Sequence, residues 1–185
     1  MIILGIDPGT ATTGFGVIEH SGNRIRHIEN GIIKTLPKDS QSDRLLIIKK
    51  AFVKLINKHK PDHLAIEKLF FSKNASSARY VYQALGVILM CAADKKIPIT
   101  EYAPNEVKSA ITGFGKADKK QMQEMVKTLL NLKEIPKPDD AADGLAIAIC
   151  HSQKSGVISK LKAQIHSPVT ITTNNTEAFV KVSLR

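Results

Sequence analysis

The sequence predicts an α/β domain with a mixed five-stranded sheet flanked by helices. Three observations predict it: extended apolar runs fill the first third, helical and extended patterns alternate afterwards, and turn residues stand at the joints. Ile2 to Asp7 is a short apolar run ended by Pro8-Gly9, a buried strand meeting a turn. Gly14 to His20 and Arg24 to Thr35 follow as strands, separated by the hairpin turn Ser21-Gly22-Asn23. Leu36-Pro37-Lys38 breaks the pattern. Leu45, Ile48, Phe52, Leu55 and Ile56 then recur at helical spacing, which predicts a helix from about Ser42 to His59, stopped by Pro61. Asp62 to Glu67 is a strand, Asn74 to Lys95 a long helix, and Ile97 to Tyr102 a strand. Pro104 to Thr112 is a short helix with proline in its first turn. Gly113-Phe114-Gly115 is a break, and Asp118 with Gln121 resembles a capping box opening a helix through Leu130. Pro136 and Pro138 frame a loop before a last helix, from Asp139 or Asp140 to about Gln153. Three antiparallel strands followed by alternating helices and strands give the mixed sheet.

At 185 residues and 20.2 kDa the chain reads as one domain, residues 1–151, followed by a tail, residues 152–185. The tail carries five basic residues and one acid and is rich in Ser, Thr and Asn. A hairpin of Val169–Thr173 with Phe179–Leu184 is weighed there against disorder. Lys and Arg number 27 against 17 Asp and Glu, a net charge of +10 that points to a polyanionic partner, nucleic acid before anionic membrane. The longest uncharged apolar run, Ala84 to Ala93, is ten residues, too short for a bilayer that needs roughly 20. The opening MIILGID has no basic segment and does not read as a signal peptide. Cys91 and Cys150 lie in apolar helical patterns and are expected to be reduced core residues. A cytoplasmic location is expected.

The chemistry concentrates in carboxylates. Asp7 ends the first strand, and Glu67 ends the strand LAIE with the same polarity relative to a crossover helix. Each alone has an ordinary reading, a turn former and a solvated strand end. Asp140 and Asp143, three apart in DDAADGLAIAIC, share one face of a helix near its N-terminus. Helix capping by Asp139 or Asp140 is the plain alternative. Neighbouring parallel strands that end together set Asp7 beside Glu67, and the helix start then has room to face them. Four carboxylates in one pocket repel unless cations occupy it. Hard divalent ions such as Mg2+ or Mn2+ suit an all-oxygen donor set, and no His or Cys cluster competes. Two such ions about 4 Å apart suit phosphodiester cleavage.

With these residues in view, the chain resembles the RuvC family of Holliday junction resolvases over about residues 1 to 151. ILGIDPGTATTGFGVI resembles the family's opening strand-turn-strand, AIEKLFFSKNASSA its second motif and DDAADGLAIAICH its terminal motif. The resemblance implies an RNase H-like fold, catalytic and metal-binding roles for Asp7, Glu67, Asp140 and Asp143, and a Mg2+-dependent homodimer that places symmetric nicks in a four-way DNA junction. It also implies a branch-migration motor as partner. Phe70 matches an aromatic that the family presents near the junction centre; from the residues alone, Phe70 or Phe71 is equally a core residue. Lys108 and Lys119 match basic residues near the family's active site, and Gly113-Phe114-Gly115-Lys116 between them reads as a phosphate-contacting loop. In Val81 to Ala93 apolar residues run nearly all round the helix, which fits a two-fold interface or a helix buried on both sides.

Three other readings stand beside this one. GIDPGTATTG also resembles the first phosphate loop of actin-like ATPases, but 185 residues are too few for their two lobes. A non-catalytic junction-binding module would use the basic surface alone, although carboxylates without metal repel phosphate. An RNase H-like nuclease on another nucleic acid is the third.

Overall fold

The computed structural model describes residues 1–69 and 75–165, the side chains of 75–77 and 156–165 excepted. The expectations for Phe70, Phe71 and the Val169–Thr173/Phe179–Leu184 hairpin lie outside the described residues. Met1–Gln153 form one compact unit.

Strand β1 (Ile2–Asp7) sits at the centre of the five-stranded sheet. It pairs antiparallel with β2 (Thr12–Ser21), which pairs antiparallel with β3 (Arg24–Lys34). On its other side β1 pairs parallel with β4 (His63–Glu67), and β4 pairs parallel with β5 (Ile99–Tyr102). The order is β3-β2-β1-β4-β5, the mixed sheet expected. Strand β5 starts two residues later than its apolar pattern suggests, because Pro98 has no N–H to give to a ladder. The carbonyl of Pro98 still accepts from the Leu64 N–H at 2.9 Å.

The helices cover both faces. Helix α1 (Gln41–His59) starts at Ser40, whose hydroxyl accepts from the Asp43 N–H at 3.2 Å. It ends at Lys60 in the left-handed conformation. Helix α2 (Ala75–Asp94) follows β4, and α3 (Pro104–Thr112) follows β5. Helix α4 (Lys119–Leu129) opens on a reciprocal capping box: the Gln121 N–H donates to Asp118 at 2.9 Å, and the Asp118 N–H to the Gln121 side chain at 3.0 Å. Helix α5 (Asp139–Ile165) runs past the end expected near Gln153. Residues 152–165, read from their composition as the start of a tail, are therefore helical.

Strand alternation sorts the core into two layers. Leu4 and Ile6 of β1 and Leu64 and Ile66 of β4 pack with Phe52, Leu55 and Ile88 of α1 and α2. Ile3 and Ala65 pack on the other face with Val107, Met122, Leu145 and Ile149 of α3, α4 and α5. Asp7 shares the parity of Ile3, and Glu67 that of Ala65. Both strand-end carboxylates thus emerge on the face that α5 covers. Both cysteines are buried thiols. No helix among the described residues is long and apolar enough to cross a membrane.

Candidate active site

Four glycines set how deeply α5 seats. Gly5 of β1 and Gly14 and Gly16 of β2 present no side chain to the helix, and Gly144 presents none to the sheet. A Cβ on Gly14 would collide with the carbonyl oxygen of Asp140, and one on Gly5 with that of Gly144. A Cβ on Gly144 would stand 2.5 Å from the backbone carbon of Phe15. The first turns of α5 therefore lie against the backbone of β1 and β2, at the sheet edge where Asp7 ends its strand. At the other end of the contact, the Tyr102 hydroxyl of β5 and His151 Nδ1 of α5 meet at 2.9 Å.

This seating brings the acids together. One carboxylate oxygen each from Asp7, Asp140 and Asp143 lie within 4.8 Å of one another. Glu67 stands beside Asp7 and the two carboxyls act on each other: Ile6 pairs with Ile66, so the next residue of each strand leaves the sheet side by side. Asp139 does not belong to the group. It is exposed and forms an ion pair with Lys119, Nζ to Oδ2 at 3.1 Å, while Lys119 lies 3.9 Å from Oδ2 of Asp143. Of the two adjacent acids it is Asp140 that faces Asp7 and Asp143, since successive residues on a helix point about 100° apart. A cleft of about 240 Å³ beside the acids is lined by Glu67 and Asp143 and by the lysines expected there, Lys108 of α3 and Lys119 of α4.

The electrostatics are those of an acid cluster that Lys108 and Lys119 offset only in part. Burial, followed by the charges of Glu67, Asp143 and Asp140, pushes the Asp7 carboxyl up to about 7, against the opposing pull of Lys119. Burial and Asp143 raise Glu67, opposed by the hydrogen bond to Asp7 and by Lys108. Burial also raises Asp143, with Lys119 opposing. Outside the cluster, the hydrogen bond from Lys119 lowers Asp139, and the same bond raises Lys119. A divalent ion fits this donor set: several oxygen ligands, excess negative charge, and a partly buried position that repays the lost hydration.

A consequence follows for stability. A carboxyl whose pKa rises from about 3.9 unfolded to about 7 folded favours the folded state fully below the lower value. That contribution is lost as pH climbs through the upper one. Metal-free protein is expected to melt at progressively lower temperature between pH 5.5 and 8, and a divalent cation at saturation to restore about 5–10 °C at pH 8. The restoration at pH 5.5 is expected to be less than half as large, because protons already occupy the site. Thermal scans with and without the cation at the two pH values check this; equal shifts would separate the cation effect from these acids.

The glycine seat and the Lys119–Asp139 pair were not read from the sequence. The signal for the first was present, since glycines inside strands and a helix weaken both and mark close backbone approach.

Known proteins resemble this chain along most of its length. The family model "Crossover junction endodeoxyribonuclease RuvC" matches residues 3–151. The protein of that name from Pelotomaculum thermopropionicum is 48% identical over 162 residues, 88% of this chain and 99% of its own. That from Thermotoga petrophila is 54% identical over 156 residues, 84% of this chain and 94% of its own. Among solved structures, Thermus thermophilus RuvC in complex with a Holliday junction substrate superposes with a TM-score of 0.82 at 33% identity, covering 86% of this chain and 97% of that one. The RNase H-like sheet, its acidic edge and a match along nearly the whole of its relatives agree: the chain belongs to the RuvC family of crossover junction endodeoxyribonucleases.

Proposed function

We propose that this chain resolves four-way DNA junctions by paired symmetric nicks, with Asp7, Glu67, Asp140 and Asp143 as the catalytic, metal-binding residues and Mg2+ as the metal, replaceable by Mn2+. The observation that carries the reading is the convergence of three carboxylates within 4.8 Å, with Glu67 beside Asp7, in a chain of net charge +10. Two bound ions would supply Lewis-acid charge to a water and to the leaving oxygen in phosphodiester cleavage. The protein's part is positional. β1 and β4 fix two carboxylates by strand register, and the glycine seat fixes the two from α5. Lys108 and Lys119 stand at the cleft to meet the phosphate strand, and Asp139 holds the Lys119 ammonium in place. The alternative of a binding module is disfavoured by the acids themselves, which without cations repel DNA.

Residues 1–151 are the nuclease domain in this reading, with residues 152–185 outside it, and Phe70 is the residue proposed to enter the junction centre. The working form is a homodimer. The inner face of α2 is filled by Ala84, Leu85, Ile88 and Ala92, while Met90, 57% exposed, and Gly86 and Ala93 lie outward in the single chain. A two-fold contact there gives two sites for one symmetric substrate. A cytoplasmic location and a branch-migration motor as partner complete the proposal. The test is a synthetic four-way junction in Mg2+: paired nicks in opposite strands, with 5′-phosphate and 3′-hydroxyl ends, and far slower cutting of linear duplex are expected. Binding without cutting would favour the non-catalytic module, and equal cutting of linear duplex a nuclease on another substrate.

A further inference from the structure

The loop between α3 and α4 is anchored on both sides. Ile111 and Ala117 are 3% and 1% exposed within the core layer under α5, yet Phe114 between them is 50% exposed. Slack does not explain the outward ring, because the backbone is built to present it. Gly113, at φ +82°, ends α3 in the left-handed conformation with its N–H on the Ser109 carbonyl at 2.9 Å. The Phe114 N–H donates to the Thr112 hydroxyl at 3.4 Å, and that hydroxyl lies 2.9 Å from the carbonyl oxygens of both Lys108 and Phe114. Gly115 packs back onto α3, where an added Cβ would stand 3.1 Å from the Ser109 hydroxyl.

Single exposed apolar residues are ordinary on protein surfaces; the neighbours of Phe114 set it apart. Lys108, a little over one turn back along α3, and Lys119, at the start of α4, both line the cleft beside Glu67 and Asp143. Lys116 and Lys120 are exposed on the same loop and helix start. An exposed aromatic ring on a loop that carries Lys116 and joins two helices, each of which gives a lysine to the cleft, has the composition of a stacking platform for nucleic acid bases.

We infer that Phe114 stacks on an opened base next to the scissile phosphate and so helps to select the position of the cut. The cleft holds the phosphate and the ring holds the base. This rests on the proposed placement of cleavage at the Asp7 cluster.

The test compares wild type with F114A and F114W on four-way junctions carrying 2-aminopurine at each position around the mapped cut. Wild type is expected to change the fluorescence at one position by stacking, and F114W to keep that change. F114A is expected to lose it, to bind about tenfold more weakly, and to spread its cuts to neighbouring phosphates, with an unchanged melting temperature. An F114A protein with wild-type affinity, fluorescence response and cut positions would overturn the inference alone. A wild type that leaves the junction intact would overturn the cleavage reading and the inference with it.

Discussion

Replacing Asp7 by Asn is expected to lower junction cleavage in Mg2+ by about a thousandfold or more, the scale of losing several kcal/mol of metal-supplied charge stabilisation, while junction binding stays within a few-fold of wild type. The two effects separate because Asp7 sits among acids, Glu67, Asp143 and Asp140, and the substitution leaves Lys119, the lysine that acts on it, in place. The same substitution is expected to raise the melting temperature of metal-free protein at pH 8. A neutral amide takes no part in the repulsion that pushes the Asp7 carboxyl up to about 7. Loss of activity together with gain of stability is the signature of a site built for a ligand, and ordinary structural damage does not produce it. Cleavage rates on a labelled four-way junction and thermal scans without metal measure both halves.

Gly144→Ala tests the seat of α5, and its sign separates two forces. In an isolated helix alanine is better than glycine by about 1 kcal/mol, so helix propensity alone predicts a more stable protein. Here the added Cβ would stand 2.5 Å from the Phe15 backbone carbon and 2.7 Å from the Gly16 nitrogen. Neither is the movable end of a side chain, so the helix must lift or the sheet must bend. Overpacking of this kind costs about 1–3 kcal/mol and occasionally more, which exceeds the propensity gain. A net loss of about 1 kcal/mol is expected, readable as a lower urea midpoint. Cleavage is expected to fall further than the unfolded fraction accounts for, since a lifted α5 carries Asp140 and Asp143 away from Asp7. A stabilised, fully active Gly144→Ala protein would show that the close approach does not position the acids.

Much of this was legible because the deciding signals are local. Asp7 and Glu67 each close a short apolar run of the same polarity, so neighbouring parallel strands that end together set them side by side, as the register of β1 with β4 has it. Asp118 and Gln121 announce the start of α4 by the spacing of a capping box. What stayed hidden depends on distance between segments. Asp139 and Asp140 differ by one position, and only the docking of α5 decides which turns toward Asp7 and which toward Lys119. The full length of α5 is not legible because the composition from residue 152 on, basic and rich in Ser, Thr and Asn, reads as a tail, whereas the helix continues to Ile165. Glycine's part in the seat was also unread, since absence of a side chain becomes informative only when the opposing backbone is known.

Binding of Mn2+, followed by the loss of its free-ion electron paramagnetic resonance signal during titration, measures the cage itself without DNA or turnover. Wild-type protein at pH 8 is expected to take up the ion at the Asp7 cluster, Asp7→Asn to lose that binding, and Asp139→Asn, altered at the carboxylate outside the cage, to retain it. Equal Mn2+ uptake by wild type and Asp7→Asn, or loss of uptake in Asp139→Asn alone, would contradict the account.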